Sequence, residues 1–137
     1  MAEGIFRRMV AERNLQDRFE VDSAGTGPWH AGEAADPRAQ EVLMRYGANF
    51  DHIARQFSPD DLEHYSQIFV MDHSQLNHLL RRAPVFKNKI HLLLDLVGGG
   101  EVPDPYQGIP ADFERVYGML ERAITQYLDN WGVEGGR

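Results

Sequence analysis

The side chains that could do chemistry in this chain are carboxylates, imidazoles, hydroxyls and aromatic rings. None of its 137 residues is cysteine, so a thiolate nucleophile, a disulfide and a cysteine metal site all lie outside its repertoire. Asp104 stands between two prolines in Pro103-Asp104-Pro105-Tyr106, and Asp72 closes the apolar run Gln67-Ile68-Phe69-Val70-Met71. A carboxyl group on a loop can give or take a proton, although an isolated Asp-Pro pair more often only opens a turn. Trp29, just after Gly27-Pro28, could stack on an aromatic ligand or simply cap the core. Ser23 ends an alternating segment and His52 sits in a loop-like stretch; taken singly, neither demands a role. The six histidines, His30, His52, His64, His73, His78 and His91, form no pair at helical ligand spacing, so no metal site and no cofactor are expected.

These groups need a scaffold, and the length suits a single domain spanning residues 1–137. With 42% hydrophobic and 26% charged residues the chain reads as an ordinary soluble globular protein. A formal net charge of -7 argues against a nucleic-acid partner, since phosphate backbones select clustered Lys and Arg. No apolar run is long enough to span a bilayer, and the amino end is amphipathic rather than signal-like. No membrane association and a cytoplasmic location are therefore expected.

Hydrophobic periodicity predicts the elements. Ala2, Ile5, Phe6, Met9 and Val10 recur at three- and four-residue steps, the mark of a core-facing helix. Phe19 to Ala24 alternates and runs into Gly25-Thr26-Gly27-Pro28, a strand followed by a loop. Asp36-Pro37 caps a helix that Gly47 closes, and Ser58-Pro59-Asp60-Asp61 starts a short helix through Tyr65. Gln67 to Asp72 and Lys89 to Leu94 are near-continuous apolar runs, as expected of strands covered on both faces. A helix over His73 to Arg82 lies between them. The stripe Phe113, Val116, Tyr117, Leu120, Ile124, Leu128 and Trp131 predicts a long last helix ending at Gly132, with a loose tail over 131–137. Alternation of this kind specifies an α/β doubly wound parallel sheet, for which three strands are thin.

Six segments in order carry a resemblance: Met1-Ala2-Glu3-Gly4-Ile5-Phe6; Val21-Asp22-Ser23-Ala24-Gly25-Thr26 with Trp29; Asp36-Pro37-Arg38-Ala39; Ala54-Arg55-Gln56; Met71-Asp72; and Pro103-Asp104-Pro105-Tyr106. Together they resemble the low-molecular-weight protein tyrosine phosphatase family from Met1 to about Trp131. The resemblance implies a three-layer α/β fold, with Asp104 as general acid and then general base. Trp29 and Tyr106 would flank the phenyl ring of phosphotyrosine. Ser23 and His52 would hold the phosphate loop in shape, and Asp72 would lie beside it. Gln107 stands where many relatives have a second aromatic residue. Arg55 is expected to be structural.

In that family a central strand and a Cys-x-x-x-x-x-Arg-Ser/Thr-Pro loop precede the segment like Met1 to Gly4, and this sequence contains neither. The chain is therefore expected to begin just past its phosphate-binding loop. It would lack the strand between Phe19–Ala24 and Gln67–Asp72, be inactive as given, and be an unstable monomer or an oligomeric or swapped assembly. The implied substrate is a phosphotyrosine protein or a small aryl phosphate. Three alternatives stand beside this: a catalytically dead phospho-binding module, an arginine phosphatase in full-length form, and a receiver domain with Asp72 as phosphoacceptor. Arsenate reduction would need cysteines that are absent.

Overall fold

In the computed structural model, which describes residues 1–25, 36–51, 55–105 and 108–134, the chain opens on helix α1, Ala2–Glu12. Its periodic apolar residues do what their spacing predicts: Ile5, Met9 and Val10 are buried. Helix α2, Pro37–Arg45, starts where Asp36 accepts a hydrogen bond from the Arg38 N–H. It stops at Gly47, whose φ of 69° is a left-handed conformation that glycine adopts without Cβ strain. Helix α3, Pro59–His64, carries a full capping box: Ser58 accepts from the backbone of its first turn, and Asp61 accepts from the Ser58 N–H.

Strand β1, Ile68–Val70, pairs in parallel with β2, Ile90–Leu92, in the register Ile68 to Ile90 and Val70 to Leu92. Helix α4, His73–Arg82, makes the crossover between them. After β2 a 3-10 turn over Leu93–Val97 leads toward α5, Pro110–Glu134. Because β1 is pleated, its side chains feed two cores. Val70 packs with Leu62, Leu79, Ile90 and Leu92 on one face of the sheet. Phe69 and Met71 pack on the other, against the larger core that α1, α2 and α5 build around Ile5, Val42, Phe113, Ile124 and Leu128. Helices on both faces of a parallel sheet make this a three-layer, doubly wound α/β fold.

Two expectations need correction. Phe19 to Ala24 is not a laddered strand. A 3-10 turn over Gln16–Arg18 precedes it and Phe19 is extended, yet regular pairing begins only at an isolated parallel bridge between Gly25 and Gln56. A strand is defined by a neighbour about 4.8 Å away, and the space between this segment and β1 is open. The last helix also continues past Gly132 to Glu134. One glycine costs a helix only about 1 kcal/mol, which the long apolar stripe outweighs. Trp29, His52, Tyr106 and the end of the tail lie outside the described residues.

Candidate functional site

Asp104 is exposed on the loop between buried Val102 and α5. That loop is tied down at both ends. At its start the Val102 N–H donates to the Met71 carbonyl at 2.8 Å, which fastens it to the C-terminal end of β1. At its far end Gly108 donates its N–H to the Pro105 carbonyl at 2.8 Å, and the Gly108 carbonyl accepts from Arg38 Nη1 at 2.7 Å. Asp112 accepts from the Ile109 N–H at 2.9 Å and so launches α5. Asp104 is thus held on a short span between fixed points, beside the end of a parallel strand where open α/β sheets bind ligands.

Arg38 itself is oriented by Asp36, whose carboxylate takes Nε at 3.2 Å and Nη2 at 3.0 Å. Its guanidinium also lies over the Phe113 ring, 4.5 Å from the centroid. The Arg38 hydrogen bond holds the Asp36 carboxyl below its ordinary range, against the opposing effect of burial.

Asp72 shares this end of the sheet. It serves as the N-cap of α4, its Oδ1 accepting from the Gln75 N–H at 2.8 Å, while Gln75 Oε1 accepts from the Met71 N–H at 2.8 Å. Ser23 lies across the open space, where its Oγ donates to Glu3 Oε1 at 2.6 Å. Glu3 has 4% of its side chain exposed and is paired with Arg7 Nε at 2.7 Å; Arg7 in turn donates to the Val21 carbonyl at 2.9 Å. This cluster, built on buried Glu3 with half-exposed Arg7 and Ser23 at its edge, is not among the groups that the sequence singles out. The available signal was an acid in the first turn of an apolar-faced helix with an arginine four residues on.

Arg55 clamps the same rim from the outside. Its Nε donates to Asp22 Oδ2 at 3.0 Å, and Nη1 and Nη2 reach the two Asp61 oxygens at 3.0 and 3.1 Å. Burial raises the Asp61 pKa, but the hydrogen bonds from Arg55 and the Ser58 N–H outweigh it and leave the group below its ordinary value. This bidentate clamp is the structural role expected of Arg55.

Between residues 19–24 and β1 lies a cavity of about 300 Å³, lined by Ala2 and Phe6 of α1, Ile124 and Tyr127 of α5, and Gln75 and Leu79 of α4. Glu3, Ser23 and Met71 also face it. Ser23 and the C-terminal end of β1 therefore border one space, next to the anchored loop of Asp104. No helix among the described residues is long and apolar enough to cross a membrane.

Comparison with known proteins fits this geometry. The family model described as low molecular weight phosphotyrosine protein phosphatase matches residues 1–134. A low molecular weight protein-tyrosine-phosphatase of Streptomyces coelicolor is 42% identical over 135 residues, covering 93% of this chain and 82% of the relative. The crystal structure of a protein tyrosine phosphatase from Entamoeba histolytica, with Hepes in its active site, superposes with a TM-score of 0.90 at 33% identity, covering 98% of this chain and 88% of that one. The Drosophila arginine phosphatase superposes with a TM-score of 0.85 at 32% identity, covering 95% and 87%. The chain belongs to the low molecular weight phosphotyrosine protein phosphatase family, whose members are phosphoric monoester hydrolases.

Proposed function

We propose that this chain supplies the scaffold and the general acid of phosphotyrosine hydrolysis, and that by itself it does not turn over substrate. The tethering of the Asp104 loop at Met71 and Arg38 carries the first half of this reading. A general acid must be held within hydrogen-bond reach of the leaving oxygen, and a loop fixed at both ends keeps an exposed carboxyl near one position. In the family reaction a cysteine thiolate forms a P–S bond while the P–O bond to the aryl group breaks. The acid gives its proton to the departing phenolate oxygen. It then takes a proton from the water that attacks the cysteinyl phosphate, as the P–S bond breaks, the thiolate returns and inorganic phosphate leaves. Asp104 suits both proton transfers.

The composition carries the second half. With no cysteine in the chain, the P–S bond has no donor here. Trp29 and Tyr106 remain the candidates for the aromatic walls of the substrate slot, His52 and Ser23 for supports of a phosphate loop, and Asp72 for a neighbour of it. For Ser23 the hydrogen bond to buried Glu3 supports a positioning role; for Asp72 the α4 cap supports one that orders the strand end.

Turnover of p-nitrophenyl phosphate by the purified chain tests the proposal. No turnover above buffer is expected between pH 5 and 7, and sustained hydrolysis lost on Asp104→Asn would overturn the requirement for a thiolate. Titration with a phosphotyrosine peptide tests the alternative of a phospho-binding module, for which micromolar affinity would be decisive. A second reading, phosphoarginine as the substrate class of the catalytically complete enzyme, is favoured by the similarity to the Drosophila arginine phosphatase. Assay of both phosphoamino acids on such an enzyme separates the two.

A further inference from the structure

The charge of this chain is unevenly placed. Residues 73–94 hold four of its 14 basic residues, Arg81, Arg82, Lys87 and Lys89, and none of its 21 acidic ones. The other 10 basic residues stand against all 21 acids, so a segment of charge +4 sits in a chain that is otherwise at -11.

Helix α4 and the 3-10 turn that follows it, Pro84–Lys89, carry this charge on their outer side. Leu79 is buried, and Leu76, Leu80 and Phe86 pack inward against the same core. That leaves Arg81, Arg82, Val85 and Lys87 exposed. Arg81 lies back along α4, its Nε donating to the Asn77 carbonyl at 3.3 Å, and the Lys89 ammonium rests over the Phe86 ring, 4.7 Å from the centroid. Among the described residues none of the four cations makes an ion pair, and Asp61 of α3, which shares this core through Leu62, is taken by Arg55. The two arginines answer the dipole of α4, but a helix C-terminus carries only about half a negative charge. Four cations exceed that severalfold. Among them Val85 is 82% exposed, the most of any exposed large hydrophobic residue described.

We propose that this face is a docking surface for an anionic lipid bilayer. Arg81, Arg82, Lys87 and Lys89 meet the headgroup phosphates, and Val85 enters the boundary between headgroups and acyl chains. A protruding apolar side chain ringed by cations enters a fluid interface without a matching pocket. An acidic peptide would instead have to order these long side chains one by one, at the cost of their rotamer freedom. Adsorption of this kind needs neither a spanning apolar run nor a signal, the two features whose lack led to the expectation of no membrane association. The acidic remainder of the chain is repelled by the same lipids, so charge sets orientation as well as affinity. Helix α4, 10 residues rising about 1.5 Å each, runs from Asp72 at the C-terminal end of β1 to the basic turn before β2. Docking at the turn therefore leaves the opposite end of the sheet, which carries the Asp104 loop, open to solvent. Nothing in this docking depends on the phosphatase reading.

The test is co-sedimentation of the full chain with vesicles of phosphatidylcholine containing one third phosphatidylglycerol, against vesicles of phosphatidylcholine alone. Binding to the anionic vesicles should be at least tenfold stronger at low salt, and should disappear in salt of about 1 M, where the screening length is about 3 Å. With each cation near the surface worth roughly fivefold, Arg82→Gln and Lys87→Gln together should weaken binding roughly 25-fold. Val85→Ser should weaken it about tenfold. Arg115→Gln removes a charge from the exposed side of α5, outside this face, and should change binding roughly twofold at most. On anionic vesicles amide exchange should slow over residues 81–89 while β1 and β2 keep their rates, which shows that the folded chain is the species bound.

No sedimentation with anionic vesicles would overturn the proposal. Equal binding to neutral vesicles would overturn it too, as would full binding by the Arg82 and Lys87 double variant. Binding of poly-glutamate or of a duplex oligonucleotide through these residues, with none to vesicles, would assign the face to an acidic macromolecule and also overturn it.

Discussion

Arg38 Nη1 donates to the carbonyl oxygen of Gly108 at 2.7 Å across seventy positions of sequence, so the first turn of α2 holds the far end of the loop that carries Asp104. The same guanidinium is gripped by Asp36 and rests on Phe113. One side chain therefore couples a helix cap, the loop and α5.

Replacing Arg38 should release that coupling. Arg38→Met removes a charge-assisted hydrogen bond to the loop and the partner of Asp36, and should cost about 1.5–3 kcal/mol in urea unfolding. Hydrogen exchange over 103–109 should speed up while β1 and β2 keep their rates. Arg38→Lys should recover little of the loss, because an ammonium group cannot serve Asp36 and Gly108 with one planar fork. Full recovery by lysine would mean that charge alone matters at this position.

Acid should weaken the fold through Asp36 and Asp61. Both carboxyls titrate below their ordinary value of 3.8 in the folded chain. As pH falls below about 3.8 the unfolded chain takes up protons before the folded chain does. Their contribution is thus fully present above that point and is lost as pH drops through the folded values. Asp61→Asn should lower stability at pH 7 and make the decline below pH 4 shallower, as read from melting temperature against pH. An unchanged slope would show that Asp61 is not one of the groups responsible.

Much of this fold was readable from local chemistry. Asp36-Pro37 and Ser58-Pro59-Asp60-Asp61 marked the starts of α2 and α3, because caps and first-turn prolines act within four residues. His73–Arg82 was bounded by its own periodicity. Phe19 to Ala24 misled for the opposite reason: alternation describes a surface able to join a sheet, and joining depends on a neighbour elsewhere in the chain. The Asp104 loop was recognisable as a motif, whereas its tether to Arg38 and the Glu3–Ser23 contact join distant segments that no local pattern links.

Gly4 and Gly118 should respond in opposite directions to the same substitution. A Cβ on Gly4 would collide with the Ala48 carbonyl oxygen and sit 2.9 Å from the Phe50 ring, so α1 would have to move away from the segment after α2. Gly4→Ala should cost about 1–3 kcal/mol, as overpacking does. Nothing lies within 4 Å of a Cβ on Gly118, which is exposed within α5. Gly118→Ala should stabilise by about 0.5–1 kcal/mol through helix propensity. Chemical denaturation of the two variants side by side checks the pair.

Glu3 is the buried charged residue identified among the described positions, and its cost of burial is offset by Arg7 and by the Ser23 hydroxyl. Ser23→Ala removes a hydrogen bond to a carboxylate that water reaches poorly, and should cost about 1.5–3 kcal/mol. Glu3→Gln keeps the shape, and its carbonyl oxygen can still accept from Ser23, but the ion pair with Arg7 is gone. The two changes act on one cluster, so the double variant should lose less than the sum of the singles by at least about 0.5 kcal/mol. Strict additivity in a double-mutant cycle would show that Ser23 and Glu3 are neighbours without energetic coupling. That result would also remove the support for Ser23 as a positioning residue. Coupling would instead place the end of the 19–24 segment under the control of α1, through a contact that brings a hydroxyl to the edge of the cavity beside β1.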